Sequence, residues 1–262
     1  MISELDLLRE KNPKKLLELI IQFETDKTHK GVIYSKNSCT PKTTLNGQNW
    51  LDHLSHLSEF ISILDLGAGD TLAQYLNPYE ENITDQELLK FYEEFLFSGN
   101  VHLTTHSLNG PNVNLPEHIT HLQGHYFTVL DNLLKMGQKF DVIISHLGLY
   151  HSRTAPLLIK KIDNLLTPRG KAFIDCIQYR GSSPFYIANN VHEIPENFVD
   201  ESGLPLSIFG GEMIEWQQLG SHLCAAWQKG SYSEPEPELV SVVSFWNAIG
   251  MGSLATYAPK EA

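Results

Sequence analysis

The chain has 262 residues, 42% of them hydrophobic and 19% charged, which is the balance of a folded globular protein rather than a disordered one. Lys and Arg number 19 against 31 acids, for a net charge of -12. A surface of that sign repels phosphate backbones, so no nucleic-acid partner is expected. No stretch approaches the roughly 20 apolar residues that span a bilayer, and acids interrupt the start from Met1 to Lys11, so neither a membrane segment nor a secretory signal is expected. Cys39, Cys176 and Cys224 are far apart and form no Cys-x-x-Cys pair. That speaks against a disulfide scaffold and a structural zinc site, and for a soluble cytoplasmic protein.

Leu5 to Phe23 has a helical pattern, with Leu16, Leu17, Leu19, Ile20 and Ile21 crowded toward one side. Asn12-Pro13 divides it into a short helix and a longer one. Glu24 to Asn49 is polar and without period, a loop or a lid that orders on binding. Trp50 to Phe60 is again helical, with Leu51, Leu54 and Leu57 on one face. Residues 1–56 therefore form an expected N-terminal helical extension with a lid-like loop, and 57–262 an expected α/β domain.

At Ile61 the texture changes. Ile61 to Leu66 is an apolar run closed by Gly67-Ala68-Gly69, the pattern of a buried parallel strand entering a tight turn. Helices are expected from Thr71 to Leu76 and from Asp85 to Phe97, the second opened by Thr84. Further strands are expected at Val101–Thr105, Ile119–Leu122, Phe140–Ser145 and Lys171–Ile177. A helix over Ala155–Leu166 is stopped by Thr167-Pro168-Arg169-Gly170. Strands alternating with helices imply βαβ units, a mostly parallel sheet and helices on both faces. Residues 61–177 make the core of this domain. In 178–262 the spacing gives irregular chain to Gly211, a helix near Glu212–Leu219, and strands at Leu223–Trp227 and Leu239–Trp246.

Ligands of an open α/β sheet bind beyond the carboxyl ends of its strands, where the strand order switches. The turn Asp65-Leu66-Gly67-Ala68-Gly69-Asp70-Thr71 belongs there. Its glycines allow a sharp turn and leave a ligand free to approach without a Cβ in the way. Asp65 ends the strand with a carboxylate able to accept from an ammonium. The run ILDLGAGDT resembles the first motif of class I S-adenosylmethionine-dependent methyltransferases. FDVIISHLGLYH is similar to the fourth-strand motif of that family, and LLTPRGKAFI to its helix end and fifth strand, all in order between Ile61 and Ile177. The resemblance implies a Rossmann-like fold with a seven-stranded, mostly parallel sheet, S-adenosylmethionine as cofactor, and methyl transfer.

By that resemblance Asp65, Gly67 and Gly69 would cradle the methionine end of the cofactor, with Ala68, Asp70 and Thr71 completing the turn. The family's acid at the end of the second strand is absent. His106, Ser107 and Asn109 stand there instead, and Ser107 or Asn109 would bond the ribose. Gly124, His125 and Tyr126 follow the third strand, and His125 or Tyr126 would stack on the adenine or bond to it. Ser145 and His146 at the end of the fourth strand would line the cofactor. Bulk at Gly67 is expected to abolish cofactor binding and spare the fold. A nicotinamide fingerprint would need glycine at Leu72, and no Gly-Lys-Ser/Thr follows to make a phosphate loop; an NAD(P)-dependent oxidoreductase is the third reading.

Past the fourth strand stands Ser145-His146-Leu147-Gly148 rather than an Asn-Pro-Pro-Tyr-like motif, and Asn77-Pro78-Tyr79 lies after the first helix instead. Tyr150 and His151 come next. His151, Tyr150 and His146 are the candidate bases, because imidazole titrates near the working pH, and this favours methylation of an oxygen, or else a nitrogen or carbon, of a small molecule. His151 equally suits a helix cap. His53 with His56, and His118, His121 and His125, give no ligand set with metal spacing, so no metal is expected. Thr25-Asp26-Lys27-Thr28-His29 with Tyr34 resembles a segment found before the core in some small-molecule methyltransferases, where it closes over the site; a solvated loop fits as well. Tyr179, Phe185, Tyr186, Phe209, Trp216 and Trp227 suit a substrate pocket or the core of the last sheet. The apolar N-terminal helices suit a homodimer face or an internal lid. The second reading is a catalytically degenerate binding protein of the same fold, motivated by the missing acids.

Overall fold

The computed structural model describes residues 2, 4–10, 12–28, 41–57, 60–69, 72–76, 86–111, 113–146, 148–149, 155–175, 215–219 and 222–230. In chain order the elements are α1 (Glu4–Arg9), α2 (Pro13–Thr28), α3 (Trp50–Ser55), β1 (Ile61–Leu66), α4 (Ala73–Leu76), α5 (Gln86–Phe91), β2 (Val101–Ser107), β3 (Ile119–Gln123), α6 (Tyr126–Lys135), β4 (Phe140–Ser145), α7 (Ala155–Leu165), β5 (Leu166–Ile174), β6 (Glu215–Leu219) and β7 (His222–Gln228). A π-helical turn, Tyr92–Leu96, extends α5.

The strands form one seven-stranded sheet in the order β3-β2-β1-β4-β5-β7-β6. β1 to β5 run parallel, while β7 pairs antiparallel with both β5 and β6. The chain winds outward from β1 to β3 and returns to β4 on the other side of β1. The strand order therefore switches between β1 and β4, and their carboxyl ends open the crevice that such sheets use for ligands.

Alternation along the strands feeds two cores. Leu64 and Leu66 pack with Leu16, Ile20, Leu130 and Ile159 from α2, α6 and α7. Ile61 and Ile63 face the other way, toward Trp50, Leu54, Tyr75 and Phe91 from α3, α4 and α5. The first core also takes in Leu7 and Phe23, so the N-terminal helices share the sheet's interior. No helix among the described residues is long and apolar enough to cross a membrane.

Several elements differ from the sequence expectation. The helix read near Glu212–Leu219 is strand β6 over Glu215–Leu219, where Trp216 pairs with Ala225 and Gln218 with Leu223. A ladder offered by β7 outweighs a short local helical pattern. α6 was not anticipated, although Val129, Leu130 and Leu133 are its buried face and His125 its N-cap. β5 begins at Leu166, directly after α7: Leu166 pairs with Phe140 and Lys171 with Val142, so Thr167–Gly170 bulge out between them. The expected strand at Leu239–Trp246 lies outside the described residues.

One ion pair fastens α7 to the exit of β7. Asp163 is 2% exposed and accepts from Lys229 Nζ at 2.9 Å and from the Gly230 amide at 3.0 Å. Asp163→Ala takes the acceptor from the Gly230 amide and leaves Lys229 Nζ the main-chain carbonyl of residue 163. The expected loss is about 2 kcal/mol in urea unfolding, below the full figure for a buried pair because Lys229 keeps some contact with water. A loss under a few tenths would show that the pair is idle.

Candidate functional site

At the end of β1 the chain turns through Gly67 (φ +88°) and Gly69 (φ +83°), a region that residues with a Cβ rarely enter. The amides of Gly67 and Ala68 both donate to the His106 carbonyl, at 3.0 and 2.8 Å, which ties the turn to the end of β2. The Gln74 side-chain amide holds the Ala68 carbonyl. Leu72 has φ +51° and is fully buried; the backbone there takes the left-handed form that favours glycine, although the residue is leucine. Asp70 and Thr71 lie outside the described residues.

β4 ends against this turn. Ser145 Oγ donates to the Leu66 carbonyl at 2.6 Å, so its hydroxyl joins the two strands at the switch point. Gly148 passes so close that a Cβ on it would lie 2.6 Å from the same carbonyl and 2.9 Å from Ser145 Oγ. Tyr126, at the start of α6, brings its hydroxyl to the same place. A Cβ on Gly67 would stand 2.6 Å from Tyr126 Oη and 2.8 Å from Gly148 Cα. The Tyr126 ring tilts on His106 with centroids 4.5 Å apart. The expectation that Gly67 leaves space for a ligand is corrected in this direction, where Tyr126 and Gly148 fill the space from within.

Asp65 is 3% exposed and accepts from Tyr75 Oη at 2.7 Å. Burial pushes its carboxyl up to about 7, against the opposing pull of the Tyr75 bond and of nearby His146.

At the end of β2, His106 is 1% exposed. Its Nε2 lies 2.8 Å from the Gly124 carbonyl, which only accepts, so Nε2 carries the proton. Burial is the largest cause holding this imidazole down to about 4, with His121 and His125 adding to it against the Gly124 bond. The ring is neutral and Nδ1 presents a lone pair, a buried acceptor without a partner among the described residues. Ser107 is committed elsewhere: its hydroxyl donates to the Asn109 carbonyl and meets His121 Nε2 at 3.1 Å. His125 caps α6 by accepting from the Phe127 amide at Nδ1, 3.2 Å. Its Nε2 then donates to Glu24 of α2 at 2.7 Å. Both nitrogens of His125 are thus used inside the protein, which corrects its reading as an adenine contact by hydrogen bonding.

The ends of β4 and β5 carry the second cluster. His146 Nδ1 lies 3.0 Å from Asp175 Oδ2. Asp175 follows β5, its amide donating to the Ser145 carbonyl at 2.8 Å. Its carboxylate also accepts from Thr43 Oγ1 at 2.6 Å, the Thr43 amide at 3.1 Å and the Lys42 amide at 2.7 Å. Burial pushes this carboxyl upward, but the bonds from His146, Thr43 and Lys42 outweigh it and hold the group below the ordinary range. Asp175 is therefore ionised and only accepts, so His146 Nδ1 donates to it, and Nε2 is left outside this bond. Asp175 was not singled out in the sequence; its signal is an acid closing the apolar run Ala172-Phe173-Ile174. Tyr150 and His151 lie outside the described residues.

Among the described residues no group of three or more His, Cys, Asp or Glu is placed to hold a metal. His121 is bonded to Thr105 and Ser107 and His125 to Glu24, so these two do not converge. His53 is buried on α3, its ring held down to about 4 mainly by burial.

No family model and no curated protein matches the chain. It is similar to solved methyltransferase structures. One is the MycE methyltransferase of mycinamycin biosynthesis in complex with Mg, S-adenosylhomocysteine and mycinamycin VI, at 12% identity and a TM-score of 0.37, covering 88% of this chain and 52% of that one. A second is the Burkholderia thailandensis 1,6-didemethyltoxoflavin-N1-methyltransferase with bound substrate and S-adenosylhomocysteine, at 13% identity and a TM-score of 0.33, covering 67% and 73%. A third is the fibrillarin pre-rRNA processing protein of Methanococcus jannaschii, at 14% identity and a TM-score of 0.37, covering 66% and 68%. This chain spans about half the length of the mycinamycin methyltransferase.

Proposed function

We propose that this protein is an S-adenosylmethionine-dependent methyltransferase acting on a hydroxyl oxygen of a small molecule. One observation carries the reading: the end of β4 lies against the Gly67–Gly69 turn of β1 at the switch point of the sheet, and His146, just past that end, is paired with a carboxylate. Ser145 Oγ on the Leu66 carbonyl joins the two strand ends, and His146 is the next residue.

The residues fit the cofactor. Gly67 and Gly69 give the turn its left-handed backbone, and His106 Nδ1 offers a buried acceptor for a ribose hydroxyl where the family has an acid. When bound, the cofactor supplies an electrophilic methyl group. His146 Nε2 then accepts the proton of the attacking hydroxyl as a general base. The stacked ends of β1, β4 and β5 hold these groups in fixed relation, so positioning is the protein's main contribution.

The test is calorimetric titration with S-adenosylmethionine and S-adenosylhomocysteine. Micromolar binding, about -8 kcal/mol, is expected. His146→Ala should keep that affinity and lose transfer about 10²- to 10⁴-fold. No heat with either compound refutes the reading. Tyr126 pressed against Gly67 favours a second one, a binding protein that keeps the fold and lacks the reaction. Methyl transfer to any member of a small-molecule panel would end that alternative.

A further inference from the structure

We propose that Asp175 is the positioning residue of this site, holding His146 in the tautomer whose Nε2 is the base; this rests on the methyltransferase reading above. A carboxylate has about four lone-pair positions, and here four donors take them. Oδ1 receives the Thr43 amide and hydroxyl, and Oδ2 receives the Lys42 amide and His146 Nδ1. Asp175 is anchored through its own amide to Ser145, the residue before His146. The carboxylate cannot swing away from the ring without abandoning three bonds to residues 42 and 43.

Two consequences separate positioning from mere stapling. Stapling needs only the bonds to Lys42 and Thr43, and is indifferent to which nitrogen of His146 is protonated. Positioning demands a proton on Nδ1. It also keeps the charge on Asp175 throughout: the proton of the substrate hydroxyl passes to Nε2, and the resulting imidazolium rests against an ionised partner. Residues 42 and 43 are more than a hundred positions from Asp175, so their placement and the orientation of the base depend on one carboxylate.

The experiment is ¹⁵N NMR of the full-length, histidine-labelled protein without ligand, with His146 assigned by the signals lost in His146→Gln. The expected result is an Nδ1–H tautomer for His146 in the wild type, and its loss or mixing in Asp175→Asn. In the same variant kcat should fall about 100-fold, while S-adenosylmethionine affinity stays within about two-fold. An Nε2–H tautomer in the wild type overturns the proposal, whether or not the variant folds. So does an Asp175→Asn protein with unchanged kcat. If the tautomer is as expected and the cofactor fails to bind, the methyltransferase reading falls and the assignment of Asp175 to the His146 tautomer stands.

Discussion

Gly67→Ala is expected to cost about 3 kcal/mol of stability and to take cofactor affinity with it. An alanine held near φ +88° loses about 1–2 kcal/mol to backbone strain alone. The new methyl then meets Tyr126 Oη at 2.6 Å and Gly148 Cα at 2.8 Å, and overpacking of that kind costs about a further 1–2 kcal/mol. Gly148 has little freedom to retreat, because it already sits against the Leu66 carbonyl and Ser145. The expectation from sequence was that the fold would survive such a change; the packing around Gly67 makes it a stability position too. Urea unfolding of the single variants and of Gly67→Ala with Tyr126→Phe gives the check. Removing the hydroxyl should return about 0.5–1 kcal/mol through coupling of the two sites. Additive costs would show that Tyr126 does not press on the turn.

Asp65→Asn is expected to become more stabilising, relative to wild type, as pH rises. The Asp65 carboxyl stands near 3.8 in the unfolded chain and at about 7 in the folded one. Between those values the folded state holds a proton that the unfolded state has released, so wild-type stability falls as pH rises through this window. Each unit is worth about 1.4 kcal/mol, so the full window amounts to about 4 kcal/mol. Asparagine has no proton to lose and still accepts from Tyr75. The stability difference between variant and wild type should therefore grow from pH 4 to pH 7 and level off above it. His53 and His106, both held down to about 4, act in the opposite sense: each adds stability as pH rises from 4 to 6.5. They are common to both proteins and cancel in the difference. A flat difference across the window would mean that Asp65 is ionised in the folded protein at every pH tested.

The strands that were legible are those buried on both faces. Ile61–Leu66 and Phe140–Ser145 are mostly apolar runs, each with an acid inside, the first followed by glycine and the second ending in serine, and their bounds agree with β1 and β4. The helix of α7 was equally plain, because Leu158, Ile159, Ile162 and Leu165 repeat at helical spacing on a fully buried stripe. β6 was misread because Glu215–Leu219 is short and its partner lies in a later strand; five residues carry too little period to choose between helix and ladder. α6 passed unnoticed because its start, Gly124-His125-Tyr126, looked like a ligand loop.

Within the site, what the chain order alone conveyed was the Gly-x-Gly turn after an apolar strand, the candidate acid Asp65, and histidine at the end of β4. These are local signals, since a turn needs its glycines and a strand end its neighbours in sequence. What only the folded molecule decided was how those groups are used. Asp65 meets Tyr75, His125 is taken by Glu24 some hundred residues away, and Tyr126 fills the space beside Gly67. His146 finds Asp175, 29 positions on, and Asp175 finds Thr43, 132 positions back. Parallel pairing brings the carboxyl ends of β1, β4 and β5 together from distant parts of the chain. Partners across that edge have no spacing rule in sequence, so burial decided the protonation of Asp65 and long-range pairing brought His146 to Asp175.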